Sequence, residues 1–142
     1  MRRNNGVTRV VAILLALAAC AVISSSATRA AKQPLAVVVR DGGLCTSGDE
    51  CRRVLRITDT TISDGYRSRP LSAAARRSLI SAIHDLSLAY LRAHPFTGTC
   101  PMAYDGQESI YRFRSFAPSI PSCKYDVRGI RAVALTERLL AS

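Results

Sequence analysis

The apolar positions along this chain change their spacing several times, and each change predicts an element. Val10 to Ala19 is an unbroken apolar run of ten residues behind Arg2, Arg3 and Arg9. Residues 21–33 are small and polar, with Ser24-Ser25-Ser26 and no apolar period. After Pro34, the run Leu35 to Val39 predicts a first strand that ends at Asp41-Gly42-Gly43. Val54 and Ile57 predict a second strand, and Ile62 to Tyr66 a short return strand closed by Asp64-Gly65. From Leu71 the period becomes helical. Leu79, Ile83, Leu86 and Tyr90 fall on one face with Ile80 and Leu91 beside them. Ser72 is placed to accept a free N–H of the first turn, and Pro95 stops the helix by forcing residue 94 out of the helical region. Ile110 to Phe113 alternates as a strand. Ile120 to Val127, carrying Cys123, is its expected partner, confined to an edge by Pro118 and Pro121. Ile130, Val133, Leu139 and Leu140 predict a short C-terminal helix. The expected fold class is α+β: a small antiparallel sheet with one long helix packed on it, a short C-terminal helix and two disulfides.

The apolar run after the N-terminal arginines has the form of an export signal. As a helix it reaches about 15 Å, roughly half of a bilayer's hydrocarbon core, so it is too short for a permanent span. It ends in Leu17-Ala18-Ala19-Cys20, which resembles the lipobox of bacterial lipoproteins. The resemblance implies a lipid on Cys20, cleavage just before it, and an extracytoplasmic, membrane-anchored protein. The alternative is plain secretion, with cleavage near Ser25-Ser26-Ala27 or after Ala30. The expected division is residues 1–20 as signal, 21–33 as tether and 34–142 as one disulfide-bonded domain. A thirteen-residue tether reaches roughly 20 Å as a coil.

The chain has five cysteines, an awkward number for an exported protein. With Cys20 lipidated, Cys45, Cys51, Cys100 and Cys123 remain and can pair in three ways. An oxidising compartment favours pairing, and the spacing suggests 45–51 and 100–123. A zinc site is the rival reading, but there is no Cys-x-x-Cys, and His84 and His94 lie far from any ligand spacing. No metal or cofactor is expected.

The formal charge of +10 falls to +7 without the first twenty residues, leaving seventeen basic against ten acidic side chains. Arginine supplies nearly all of the basic residues, since Lys32 and Lys124 are the only lysines. Such a surface is either simply solvated or attracted to anionic lipid headgroups, wall polymers or an acidic protein. Nucleic acid is not expected as a partner, because no basic run is interleaved with aromatics. Catalytic patterns are absent: no Gly-x-Ser-x-Gly, no His-Glu-x-x-His and no glycine-rich phosphate loop. His84 reads as a rim histidine and His94 as a helix-end residue. Asp105 and Glu108 are a candidate carboxylate pair, but Asp105-Gly106 is more simply a turn. Asp59 and Asp64 match no calcium loop. No enzyme is expected.

The run Phe96-Thr97-Gly98-Thr99-Cys100-Pro101-Met102-Ala103-Tyr104-Asp105-Gly106-Gln107-Glu108 concentrates the unusual residues. It resembles a Phe-x-Gly-x-Cys-Pro-x-x-Tyr-Asp-Gly-x-Glu signature in small exported proteins of high-GC bacteria, a group without an assigned activity. That resemblance implies a secreted disulfide domain. More narrowly, Cys-Pro-Met-x-Tyr-Asp is similar to the reactive loop of the bacterial subtilisin-inhibitor family. By that likeness Met102 enters a serine protease's primary pocket and Met102–Ala103 is the scissile bond. Tyr104 and Asp105 then belong to the binding loop, Cys100 pairs with Cys123, and Pro101 helps hold the loop extended for docking. The chain departs from the family at Gly106, where proline is usual, and in the small Cys45–Cys51 loop. Two functions follow as expectations: a non-catalytic binding or structural module of the cell envelope, or a protease inhibitor acting through Met102.

Overall fold

The computed structural model describes residues 33–43 and 51–142. The expected export signal, Cys20, nearly all of the expected tether and Cys45 lie outside the described residues. Gln33–Ser142 forms one compact unit.

β1 (Ala36–Gly42) is built from Val37, Val38 and Val39, whose branched side chains suit a pleated, packed surface. It pairs antiparallel with both β2 (Arg52–Ile57) and β5 (Gln107–Phe113). β3 (Thr61–Ser63) follows β2 through a turn in which the Thr58 hydroxyl accepts the Thr61 N–H at 2.9 Å. β4 (Ser68–Pro70), a strand the hydrophobic pattern did not signal, returns after a turn closed by Asp64. β6 (Phe116–Pro121) completes a six-stranded antiparallel sheet in the order β4-β3-β2-β1-β5-β6.

Alternation assigns the two faces. Ala36 and Val38 of β1, Leu55 and Ile57 of β2, Tyr111 and Phe113 of β5, and Ile120 of β6 point to one side. They pack there with Leu79, Ala82, Leu91, Ala132 and Val133 of the helices. The class is therefore α+β, with the helices gathered over one face of the sheet.

The single long helix expected between Ser72 and His94 is instead two helices. α1 (Ala73–His84) begins under the Ser72 hydroxyl, which accepts the Ala75 N–H. It ends at Asp85. Ser87 then turns extended, at φ −128°, and its hydroxyl accepts the Tyr90 N–H to start α2 (Leu88–Ala93). The apolar spacing ran through the break because Leu86 and Leu91 still face the core; the capping chemistry of Ser87 interrupted the backbone between them. α3 (Arg131–Ala141) is the expected C-terminal helix, and its last turn is held from β4 by Arg69, which donates to the Leu139 carbonyl and the Ser142 hydroxyl.

One further expectation is corrected. The strand expected over Ile120–Val127 lies earlier, because a two-residue turn at Arg114-Ser115, with Ser115 at φ 65°, begins the return at once. Cys123 therefore sits in the turn after β6, where Lys124 and Tyr125 both donate to the Pro121 carbonyl. Of the two expected disulfides, one has both halves among the described residues: Cys100–Cys123. Closing a loop of 23 residues removes unfolded-state freedom worth about 3 kcal/mol on the chain-entropy model. Cys51 is also disulfide-bonded, and its partner lies outside the described residues.

Candidate functional site

The Cys100–Asp105 loop is turned, not extended. Cys100 is still extended at φ −62°, ψ 130°, but Pro101–Tyr104 forms one turn of 3-10 helix, named η1. Proline at its first position suits a helical start, since its ring presets φ and its missing N–H is not needed there. The Ala103 N–H closes on the Cys100 carbonyl at 3.0 Å, and the Gly106 N–H on the Pro101 carbonyl at 2.8 Å. Asp105 ends the turn in the left-handed region at φ 57°. The expectation that proline and disulfide hold Met102–Ala103 extended is thus corrected: both instead fix a closed turn. Met102 and Tyr104 remain exposed, at 46% and 77%. The turn seats on the end of β1 at Gly42, where φ is +88° and an added Cβ would lie 2.8 Å from the Gly106 carbonyl. Only glycine fits there.

The carboxylates and histidines singled out by sequence serve local structure. Asp64 accepts the Tyr66 and Arg67 N–H groups at 2.9 and 2.7 Å, and these bonds lower its pKa. Asp59 is shared by Arg114 and Arg76. The Glu108 carboxylate accepts the Cys123 N–H at 3.4 Å, and Asp105 supplies the left-handed backbone that ends η1. His84 closes α1, exposed. His94 caps α2, stacked on Tyr90 with ring centroids 4.0 Å apart. Among the described residues no group of three or more His, Cys, Asp or Glu converges as a metal site, and no helix is long and apolar enough to cross a membrane.

Beneath the sheet lies a partly buried polar group that the sequence did not reveal. The Tyr111 hydroxyl of β5 donates to Glu137 Oε1 at 2.8 Å, and Arg40 of β1 donates to Glu137 Oε2 at 2.5 Å. Burial, then the hydrogen bond to Glu137, push the Tyr111 phenol up to about 12. The three side chains satisfy one another, and together they fix α3 to two strands.

The opposite face of the sheet has a different character. Among the described residues no helix packs on it. Val39 lies at its centre between register partners Val54 and Ile110, and is itself buried. One row along, Val37 lies between Arg56 and Arg112 in register. Both arginines are exposed, and among the described residues neither has an ion-pair partner. Two strand spacings separate them, roughly 10 Å. The nearest carboxylates of this face, Asp41 and Glu108, lie at the far end beside Arg52. The basic row is also the row closest to Gln33, where the chain enters the sheet. These arginines carry no local sequence signal, because each simply alternates with core residues, Arg56 between Leu55 and Ile57, Arg112 between Tyr111 and Phe113. No protein-family model, curated protein or solved structure matches this chain.

Proposed function

We propose that this is an exported, lipid-anchored, non-catalytic module of the cell envelope, which lays the Arg56–Val37–Arg112 row of its open sheet face on an anionic membrane surface. The observation that carries the reading is the position of that row: two guanidiniums with no ion-pair partner among the described residues flank an apolar residue at the end of the sheet next to Gln33. A lipid on Cys20 and a tether of roughly 20 Å would keep the domain within reach of the headgroups. Tethering converts weak contacts into intramolecular ones, so a small basic row suffices. Arginine suits the task because its flat, weakly hydrated guanidinium takes two phosphate oxygens at once while its stem lies along apolar surface.

The test is flotation of the oxidised chain from residue 21 onward, without the Cys20 lipid, with vesicles, comparing phosphatidylcholine alone with mixtures holding phosphatidylglycerol. Binding is expected only with the anionic lipid and weakens as salt rises. Each arginine near such a surface is worth about 1 kcal/mol, so the double change Arg56→Gln, Arg112→Gln weakens binding by about thirtyfold. Equal binding to both vesicle types, or no effect of the double change, sinks the reading. Binding to soluble polyphosphate but not to vesicles transfers the same face to an envelope polymer.

The inhibitor reading keeps one observation in its favour, an exposed Met102 in a disulfide-tied loop. The closed turn weighs against it, because a protease cleft takes an extended chain. Titrating subtilisin with the oxidised protein is therefore expected to give no stoichiometric inhibition. Tight inhibition lost in Met102→Gly would reverse that judgement.

A further inference from the structure

The break between α1 and α2 opens a hollow of about 320 Å³ against the start of α3, within the size range of small-molecule sites. Its floor is apolar. Ala82, Leu91, Ile130 and Ala132 are buried there, and the two alanines, at 1% and 0% exposure, leave the space that larger side chains would have filled. Leu86 forms one wall. The mouth carries one charge of each sign: Arg131 Nη1 donates to Asp85 Oδ2 at 3.0 Å, and the two side chains are 58% and 60% exposed.

We infer that this hollow is a binding site for a small zwitterion with an apolar side chain, of the chemical class of a free aliphatic or aromatic α-amino acid. An ion pair this exposed contributes little and opens readily. Opened, it offers a guanidinium to a carboxylate and a carboxylate to an ammonium, side by side, as both charges are carried on an amino acid's α-carbon. The apolar side chain then removes the floor from water. A ligand with only one charge leaves the other half of the rim unpaired, so the rim selects for both. The Tyr90 ring closes the outer side, its hydroxyl so near Gly129 that an added Cβ there would lie 2.6 Å away.

The test is an amide chemical-shift titration of the full oxidised protein with L-leucine, L-phenylalanine, 4-methylpentanoate, 3-methylbutylamine and glycine. Leucine or phenylalanine is expected to saturate at or below about 1 mM, with shifts confined to residues 82–91 and 129–132. The acid, the amine and glycine bind at least about tenfold more weakly, a gap of one decade in Kd. Ala82→Leu fills the floor and abolishes the shifts. Asp85→Asn, on the exposed rim, weakens leucine and strengthens 4-methylpentanoate, because Arg131 is freed and no rim carboxylate is left unpaired. Absence of saturable shifts, shifts elsewhere on the molecule, or equal binding of the one-charge analogues overturns the proposal. Vesicle binding does not enter, so the site stands or falls apart from the membrane reading.

Discussion

At the residue scale, the chemistry of this domain is concentrated in polar side chains that sequence pattern ranks as ordinary. Arg40, Tyr111 and Glu137 are spread over nearly a hundred positions, and no local spacing links them; only the pairing of β1 with β5 under α3 brings them together. The consequence is measurable. The Tyr111 phenol titrates near 10 in an unfolded chain and about 12 in the fold. A raised phenol pKa means that the folded state holds the proton more tightly. Its stabilising contribution is complete below pH 10 and is lost as pH rises to about 12. Two units correspond to roughly 2–3 kcal/mol, and partial solvent access trims that to about 2. Urea unfolding across pH 9–12 should therefore show wild type losing about 2 kcal/mol more than Tyr111→Phe. Parallel pH profiles for the two proteins would falsify the assignment. By contrast, Gly42 and Asp105-Gly106 were legible as turn residues, because left-handed backbone has a compositional signature.

At the scale of elements, the periods of two and of 3.6 located β1, β2, β5 and α3 well, since each buries one clean face. They failed where two signals competed. The helical period ran from Leu79 through Tyr90, yet Ser87 caps a new helix and splits the element. Tyr90, counted as a core position, is 41% exposed and stacks on His94 instead. The partner of β5 begins earlier than expected: Ile120, the first residue of the expected strand, is the penultimate residue of β6. The split has an energetic test. Replacing Ser87 by alanine removes the acceptor for the Tyr90 N–H and should cost about 1 kcal/mol, a fall in Tm of about 4 °C for a domain of this size. The same change in an uninterrupted helix would be neutral or stabilising, because alanine is the better helix former. A rise in Tm would therefore show that the chain prefers the single helix through residues 85–87.

At the scale of the whole molecule, the strand order was beyond the reach of local pattern. β1 sits at the centre by pairing with β2, reached through a short connection, and with β5, about seventy residues away in sequence. What the sequence did signal was that β6 is an edge, through Pro118 and Pro121. The other edge, β4, ends in Pro70. Pro70 and Pro121 stand at the ends of the two border strands without an N–H to donate, and Pro118 lies in the register shift opposite Arg112, so each border offers a second chain an interrupted row of donors. Both borders of the sheet are thus poor templates for pairing. Under the proposed membrane anchoring such protection gains in importance, because tethering raises the local concentration at which edges would meet. The oxidised protein is expected to sediment as a monomer at concentrations where the double change Pro118→Val, Pro121→Val associates. The restored N–H groups and branched side chains make β6 a regular strand with a free border. If the double variant stays monomeric over the same range, the prolines serve only the bulge between Tyr111 and Phe113, and protection of that edge comes from the short length of β6 itself.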